Sequence, residues 1–255
     1  MIKKHLLLLA IVSFALIARA DFKAQGSDST LKVVKALAAG FTAETGKNIS
    51  LQGGGSGAGS KAVTAGSVTL AFLSRDLDAA EVQGGLIGYP YAKDGVAVIV
   101  NPGNPVAGLT RAELKDIFSG KTKAWSDGKP LIAFNRNADS GTREVFQGKV
   151  LGKEAFSPSV AIKHDGVIIS SVEKIPAAIA YTSLGEADAT KVKIVPVDGI
   201  APSAATLKDG SYPIARTPTL ATKGEASGDE KAFIDFVVGP KGQAIVSQQG
   251  LSPLK

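Results

Sequence analysis

The 255-residue chain has no cysteine, two histidines (His5 and His164), one tryptophan and one methionine. Without cysteine there is no disulfide framework, thiolate metal site, cysteine nucleophile or lipidated N-terminal cysteine. So few aromatic residues leave little surface for stacking nucleic-acid bases. Long apolar runs are also scarce. Leu6 to Ile17 is the longest, twelve apolar or small residues, short of the roughly 20 a membrane-spanning helix needs. Lys3 and Lys4 precede it, and Ala18-Arg19-Ala20 follows it just before Asp21. A basic start, a short apolar run and an A-x-A site predict a cleaved signal peptide over residues 1–20. The mature chain then begins near Asp21 and keeps one histidine, His164. The formal charge of +6 loses Lys3, Lys4 and Arg19 and no acid, leaving 26 basic against 23 acidic residues, +3. No run of Lys or Arg marks a nucleic-acid face, so none is expected as a partner.

What is present is a globular composition, 44% hydrophobic and 20% charged with 29 glycines, arranged as alternating strands and helices. Leu31, Val34, Leu37, Ala38 and Phe41 recur at helical spacing and Gly46 stops the run. Ile49-Ser50-Leu51 is a strand into a glycine loop, Gly53 to Gly59. A brief helix over Lys61–Ala65 and a strand over Val68–Leu73 follow. Val96–Val100 is continuously apolar, as suits a strand covered on both faces. Thr110-x-x-Glu113 is a capping box. Further strands are expected at Leu131–Phe134, Ala178–Tyr181, Val192–Val197 and Ile214–Ala221. Helices are expected after Ser140-Gly141-Thr142, at Val167–Val172, after Ser227-x-x-Glu230, and from Gly239-Pro240. The alternation argues for an α/β fold with largely parallel sheets. No linker separates two halves, so a two-lobed molecule must be interwoven, crossing near Tyr89-Pro90-Tyr91 and near Tyr212-Pro213.

Polar loops recur at the ends of these elements: Gly26-Ser27-Asp28-Ser29-Thr30, the glycine loop around Ser56, Leu73-Ser74-Arg75, and Arg136-Asn137-Ala138-Asp139-Ser140-Gly141-Thr142. Helix N-termini carry unpaired N–H groups and partial positive charge. Glycines allow close backbone approach, and arginine forks suit tetrahedral oxyanions. The set describes a buried site for a small anion, but Ser and Thr before a helix also act as ordinary caps, and spacing alone leaves both readings open. A P-loop fails, because Ser60-Lys61 reverses the required order. A nucleophile elbow fails, because Ala58 stands where glycine is needed. One mature histidine and no cysteine supply neither a zinc site nor a convincing hydrolytic triad, so no metal or cofactor is expected.

The same loops resemble a known family. With Asp94–Pro102, Leu109–Gly120, Ser140-Gly141-Thr142-Arg143-Glu144, Ala178-Ile179-Ala180-Tyr181, Tyr212–Arg216 and Gly239-Pro240-x-Gly242-Gln243 in the same order, the chain resembles the periplasmic phosphate-binding proteins of phosphate ABC transporters, in their shorter branch. The resemblance covers essentially the whole mature chain. It implies a two-lobed periplasmic-binding-protein fold of type II, with mixed sheets flanked by helices and a ligand cleft between lobes. It divides the chain into a lobe starting at 21–93, a second lobe at 94–212, and a return to the first at 213–255. It implies a monomeric, non-enzymatic receptor in the periplasm that hands inorganic phosphate to a membrane permease. Sulfate or molybdate on the same fold, or a phosphate-ester hydrolase, are the alternatives. The family's motifs place Ser29, Thr30, Leu31, Ser56, Ser74, Arg75, Arg136, Ser140, Gly141 and Thr142 on phosphate, with Arg143 weaker. Two departures stand out. Thr69 replaces an acid found in many relatives. Arg75 stands where longer relatives carry the aspartate that accepts the proton of monohydrogen phosphate, which leaves Asp28 or Asp139 as the acceptor here.

Overall fold

A computed structural model describes residues 22–254 except 159, 160 and 163; the expected signal peptide lies outside them. In chain order the elements are β1 (Phe22–Gly26), α1 (Leu31–Thr45), β2 (Ile49–Gln52), α2 (Ser56–Thr64), β3 (Leu70–Leu73), α3 (Ala79–Gln83), β4 (Leu86–Pro90) and β5 (Asp94–Val100). Then come α4 (Arg111–Phe118), β6 (Ile132–Ala133), β7 (Asn135–Arg136), α5 (Gly141–Phe146), β8 (Ala161–Ile162), α6 (Asp165–Lys174), β9 (Ala178–Ser183) and β10 (Lys193–Val195). The chain ends with α7 (Ala204–Lys208), β11 (Ala215–Arg216), β12 (Thr219–Lys223), α8 (Gly228–Val238) and α9 (Pro240–Gln248).

Two mixed sheets organise these elements. The first has the order β2-β1-β3-β12-β4, the second β10-β5-β9-β6 with β11 also on β5. Strands β1, β2 and β3 pair parallel, but β12 runs antiparallel to both β3 and β4. In the second sheet only β6 with β9 is parallel. The largely parallel sheets expected from alternation are therefore mixed. The reason is topological: the chain passes to the second sheet after β4 and returns before β12, so the returning strand enters the first sheet reversed. No helix among the described residues is long and apolar enough to cross a membrane.

The cores follow from the strand period. In β5, Val96, Val98 and Val100 pack into one cluster and Ala97 and Ile99 into another. Successive side chains of a strand point to opposite faces, so this continuous apolar run serves α4 and α5 on one side and α6 on the other. Phe146 stacks on Tyr181 at 4.1 Å between centroids, with Phe118 edge-on. In the first half, Val34, Leu37 and Phe41 of α1 meet Phe233 and Val237 of α8 and Val246 of α9. Each such buried side chain contributes about 1.5–3 kcal/mol.

Local signals set most boundaries. Gly46 closes α1 in the left-handed region (φ 76°), where glycine carries no Cβ penalty. Thr110 and Glu113 complete their capping box at the start of α4. Ser227 precedes α8 without a side-chain cap bond. The expected strand over Ile214–Ala221 is two short strands serving different sheets, β11 and β12. The expected Lys61–Ala65 helix begins five residues earlier, at Ser56, so the glycine loop delivers its serine as the first helical residue.

Candidate functional site

The site is assembled from the ends of elements in both halves. After β1, Ser27 Oγ accepts the Ser29 amide at 3.2 Å and caps a single 3₁₀ turn, Asp28–Thr30. That turn directs Ser29 and Thr30 inward, 4% and 1% exposed. The Thr30 amide donates to Ser27 O at 3.3 Å, and the Leu31 amide donates to Asp28 O. The Thr30 hydroxyl is buried and has no hydrogen-bond partner.

Across from this turn, Ser140 caps α5, its Oγ accepting the Arg143 amide. Gly141 and Thr142 occupy the first two positions of that helix, where amides have no partner within it. Thr142 Oγ1 lies 2.8 Å from Ser29 Oγ. Each hydroxyl of this pair accepts from an arginine: Arg136 Nη1 donates to Ser29 at 3.1 Å, and Arg216 Nη1 to Thr142 at 2.7 Å. Two hydroxyls own two hydrogens. Their mutual contact uses one, so the other is left to donate to a third group.

The same arithmetic holds beside it. Ser56 Oγ accepts the Ser74 amide at 3.0 Å and sits 3.2 Å from Ser74 Oγ. Again one hydroxyl hydrogen remains. Gly141 packs directly over this pair, where a Cβ would stand 2.3 Å from Ser56 Oγ and 2.7 Å from Ser74 Oγ. Gly55 (φ 108°) is equally constrained, because a Cβ there would meet Asp139 O at 2.3 Å. The Gly57 amide donates to that carbonyl at 3.1 Å. The two halves are thus in contact through glycine backbones and small hydroxyls.

Both central arginines are buried and matched by carboxylates. Arg136, 1% exposed, donates to Asp165 Oδ1 at 2.5 Å; that oxygen also accepts from Thr182, while Asp165 Oδ2 is buried with no partner. Arg216 places Nε and Nη2 on Asp94 Oδ2 at 2.8 and 2.6 Å, beside a bond from Ser183 at 2.8 Å. Asp94 and Arg216 sit opposite each other in the β5–β11 register, next to where the chain passes between the halves. Asp94, Asp165, Thr182, Ser183 and Arg216 did not emerge from sequence as site residues. The one available signal was that Asp94 and Arg216 fall within segments that carry the family resemblance.

The remaining candidates divide. Asp28 Oδ1 accepts the Gly54 amide at 3.0 Å and has His164 Nδ1 at 3.6 Å, while its Oδ2 is buried without a partner. The Asp139 side chain, 42% exposed, pairs with Lys61. Arg143 donates to Arg136 O at 3.3 Å and lies over the Phe156 ring. Arg75 is engaged by Glu81 at 2.7 and 2.9 Å and by Glu144. Glu186 stands half-buried nearby. Burial, then the charges of Asp165 and Asp94, push its carboxyl up to about 7, with Lys32 and Arg136 opposing.

This geometry presents inward hydroxyls, two shielded guanidinium groups and free helix-start amides, a donor-rich lining that suits an anion. Among the described residues no cluster of His, Cys, Asp or Glu is arranged to hold a metal ion.

Comparison with known proteins places the chain in a family. The model of the PBP superfamily domain matches residues 17–241. The phosphate-binding protein PstS of Bacillus subtilis is 34% identical over 90% of this chain and 79% of its own length. PstS of Staphylococcus aureus is 31% identical over 89% of this chain and 76% of its own. A crystal structure from Clostridium perfringens, assigned as a phosphate ABC transporter substrate-binding protein and holding phosphate, superposes with a TM-score of 0.88. It is 33% identical, covering 92% of this chain and 99% of that one. A phosphate transport receptor from Vibrio cholerae shares the fold at a TM-score of 0.78 and 24% identity, covering 91% and 99%. The chain belongs to the PBP superfamily and, within it, to the family of the PstS phosphate-binding proteins.

Proposed function

We propose that this protein captures inorganic phosphate between its two halves and delivers it to the permease of an ABC transporter. The observation that carries the reading is the meeting of Ser29, Thr142 and Arg136, with Gly141 of the same helix start packed over the Ser56–Ser74 pair. The 33%-identical relative with bound phosphate supports it. In this reading Thr30 donates its hydroxyl hydrogen, and the Ser29–Thr142 and Ser56–Ser74 pairs donate the one hydrogen that each has left. Gly141 and Thr142 donate amides at the start of α5, and Ser140 holds that turn. The Leu31 amide, expected on the anion, donates instead to Asp28 O within the turn. Arg136 supplies a charge-assisted bond, roughly twice as strong as a neutral one. Arg216 holds Thr142 in place from the crossing strand.

Phosphate near neutral pH retains a proton that needs an acceptor. Asp28 takes that role, because its Oδ2 is buried without a donor; the Asp139 side chain is turned toward Lys61. The lobes correspond to residues 21–93 with 217–255, and 94–216, since β11 still pairs with β5 and Ile214 packs in the second core, and the crossings between them serve as the hinge. The protein acts as a monomeric receptor without enzymatic activity, exported to the periplasm by the signal over residues 1–20. Equilibrium dialysis of purified protein against labelled phosphate tests the reading. Unlabelled phosphate is expected to displace the label, with sulfate and molybdate far weaker. Retention of molybdate or sulfate in preference, or turnover of a phosphate ester with or without divalent metal, would replace it.

A further inference from the structure

Arg75 and its partners occupy a place the phosphate contacts do not explain. Arg75 follows Ser74 at the end of β3, in the first sheet. Glu81 lies in α3 of the same half and takes both Nη groups, Nη1 to Oε2 at 2.7 Å and Nη2 to Oε1 at 2.9 Å. Glu81 is itself fixed by a capping box with Asp78, whose amide donates to Glu81 Oε2 at 2.9 Å and whose Oδ1 accepts the Glu81 amide at 2.8 Å. With its Nη edge held, the guanidinium turns its Nε edge toward the other half, where it meets Glu144 of α5. Arg75 and Glu81 are 10% and 12% exposed, and Glu144 is 37% exposed. The charge balance matters: Glu81 already neutralises Arg75 within its own half, and Glu144 adds a further negative charge. This arginine brings no surplus positive charge to an anion.

Glu144 lies three residues beyond Gly141, one turn along the same helix. A pull on Glu144 therefore moves the Gly141–Thr142 turn as one piece. From this arrangement, and resting on the phosphate reading above, we propose that Glu144 and Arg75 are positioning residues. Their ion pair forms when the halves meet and seats the first turn of α5 against Ser56 and Ser74, while Glu81 orients the arginine. Closure then gains an ion pair outside the ligand site, and phosphate and this pair stabilise the same closed state. Binding couples to a contact in this way when both favour one conformation.

A double-mutant cycle on the full-length exported protein tests the assignment, measuring phosphate affinity and dissociation rate. If the unaltered protein binds no phosphate, the functional reading fails and not this one. Given binding, Glu144→Gln and Arg75→Gln are each expected to weaken phosphate about 5- to 150-fold, mainly through faster dissociation. The double variant should be no weaker than the worse single one. Glu144→Asp, which keeps the charge on a shorter stem, should fall between. The melting temperature without phosphate should stay unchanged for Glu144→Gln, which loses only the contact between the halves, whereas Arg75→Gln also strips Glu81 of its partner within one half. Additive losses would overturn the proposal. So would an Arg75→Gln collapse beside an unaffected Glu144→Gln, which would put Arg75 on the anion itself. A drop in the melting temperature of Glu144→Gln without phosphate would reduce the pair to a structural role and overturn it as well.

Discussion

At the scale of single residues, the site is governed by where buried oxygens find hydrogens. Asp28 Oδ2 is buried without a donor, and a protonated phosphate oxygen offers one where sulfate offers only lone pairs. A hydrogen bond to a charged acceptor contributes about 1.5–3 kcal/mol. Asp28→Asn should therefore weaken phosphate, improve sulfate, and narrow the ratio between them about 10- to 150-fold; competition titrations of the two anions check it. Glu186 carries the pH dependence. Its folded carboxyl is raised to about 7 from an ordinary 4.5, first by burial and then by Asp165. Below about pH 4.5 the folded and unfolded forms are both protonated and nothing is lost. As pH rises toward 7, the unfolded carboxyl ionises while the folded one resists, so stability falls across that window and stays lower above it. After allowance for solvent screening at this half-exposed group, the loss is about 1–2 kcal/mol. Glu186→Gln should raise the melting temperature at pH 8 by several degrees and leave it unchanged at pH 4, as a calorimetric scan at both values would reveal.

At the scale of elements, function depends on helix starts that come within bonding distance. Replacing Gly141 with alanine would put a Cβ 2.3 Å from Ser56 Oγ. Overpacking of this kind costs about 1–3 kcal/mol. Because the clash lies between the halves, Gly141→Ala should lower phosphate affinity about 5- to 150-fold while the melting temperature without phosphate holds. Direct titration and thermal melts of the same sample separate the two effects. These helix starts were legible in sequence because capping is local: Ser27, Ser140 and Thr110 act on amides two or three residues away. The ion pairs behind them were not. Arg216 reaches Asp94 across 122 residues and Arg136 reaches Asp165 across 29, and no periodicity encodes such partnerships. The strand pair Ser74–Arg75 shows the same limit. Its position was readable, but the capping box that draws Arg75 to Glu81 depends on α3, which the periodic pattern did not reveal. Strand β4 was also hidden, since Gly88 and Pro90 dilute its apolar signal. It pairs along its whole length with β12, a partner far away in sequence.

At the scale of the molecule, the mixed α/β class followed from alternation, whereas strand direction followed from the path between sheets. Two sheets with separate cores are joined by two short crossings, with Tyr91 fully buried beside the first. Such a chain flexes at its crossings more readily than in its cores, the arrangement from which hinge closure arises. In the proposed capture, the contacts between halves — Ser29 with Thr142, Gly57 with Asp139, Arg75 with Glu144 — are those of the closed state, and a ligand that bridges them should favour it by mass action. The measurement that tests this most directly is solution X-ray scattering of phosphate-stripped protein during a phosphate titration. The account predicts that the radius of gyration falls as phosphate is added and levels off at one phosphate per chain, with no change when sulfate replaces it at equal concentration. An unchanged radius at saturating phosphate would contradict capture by closure.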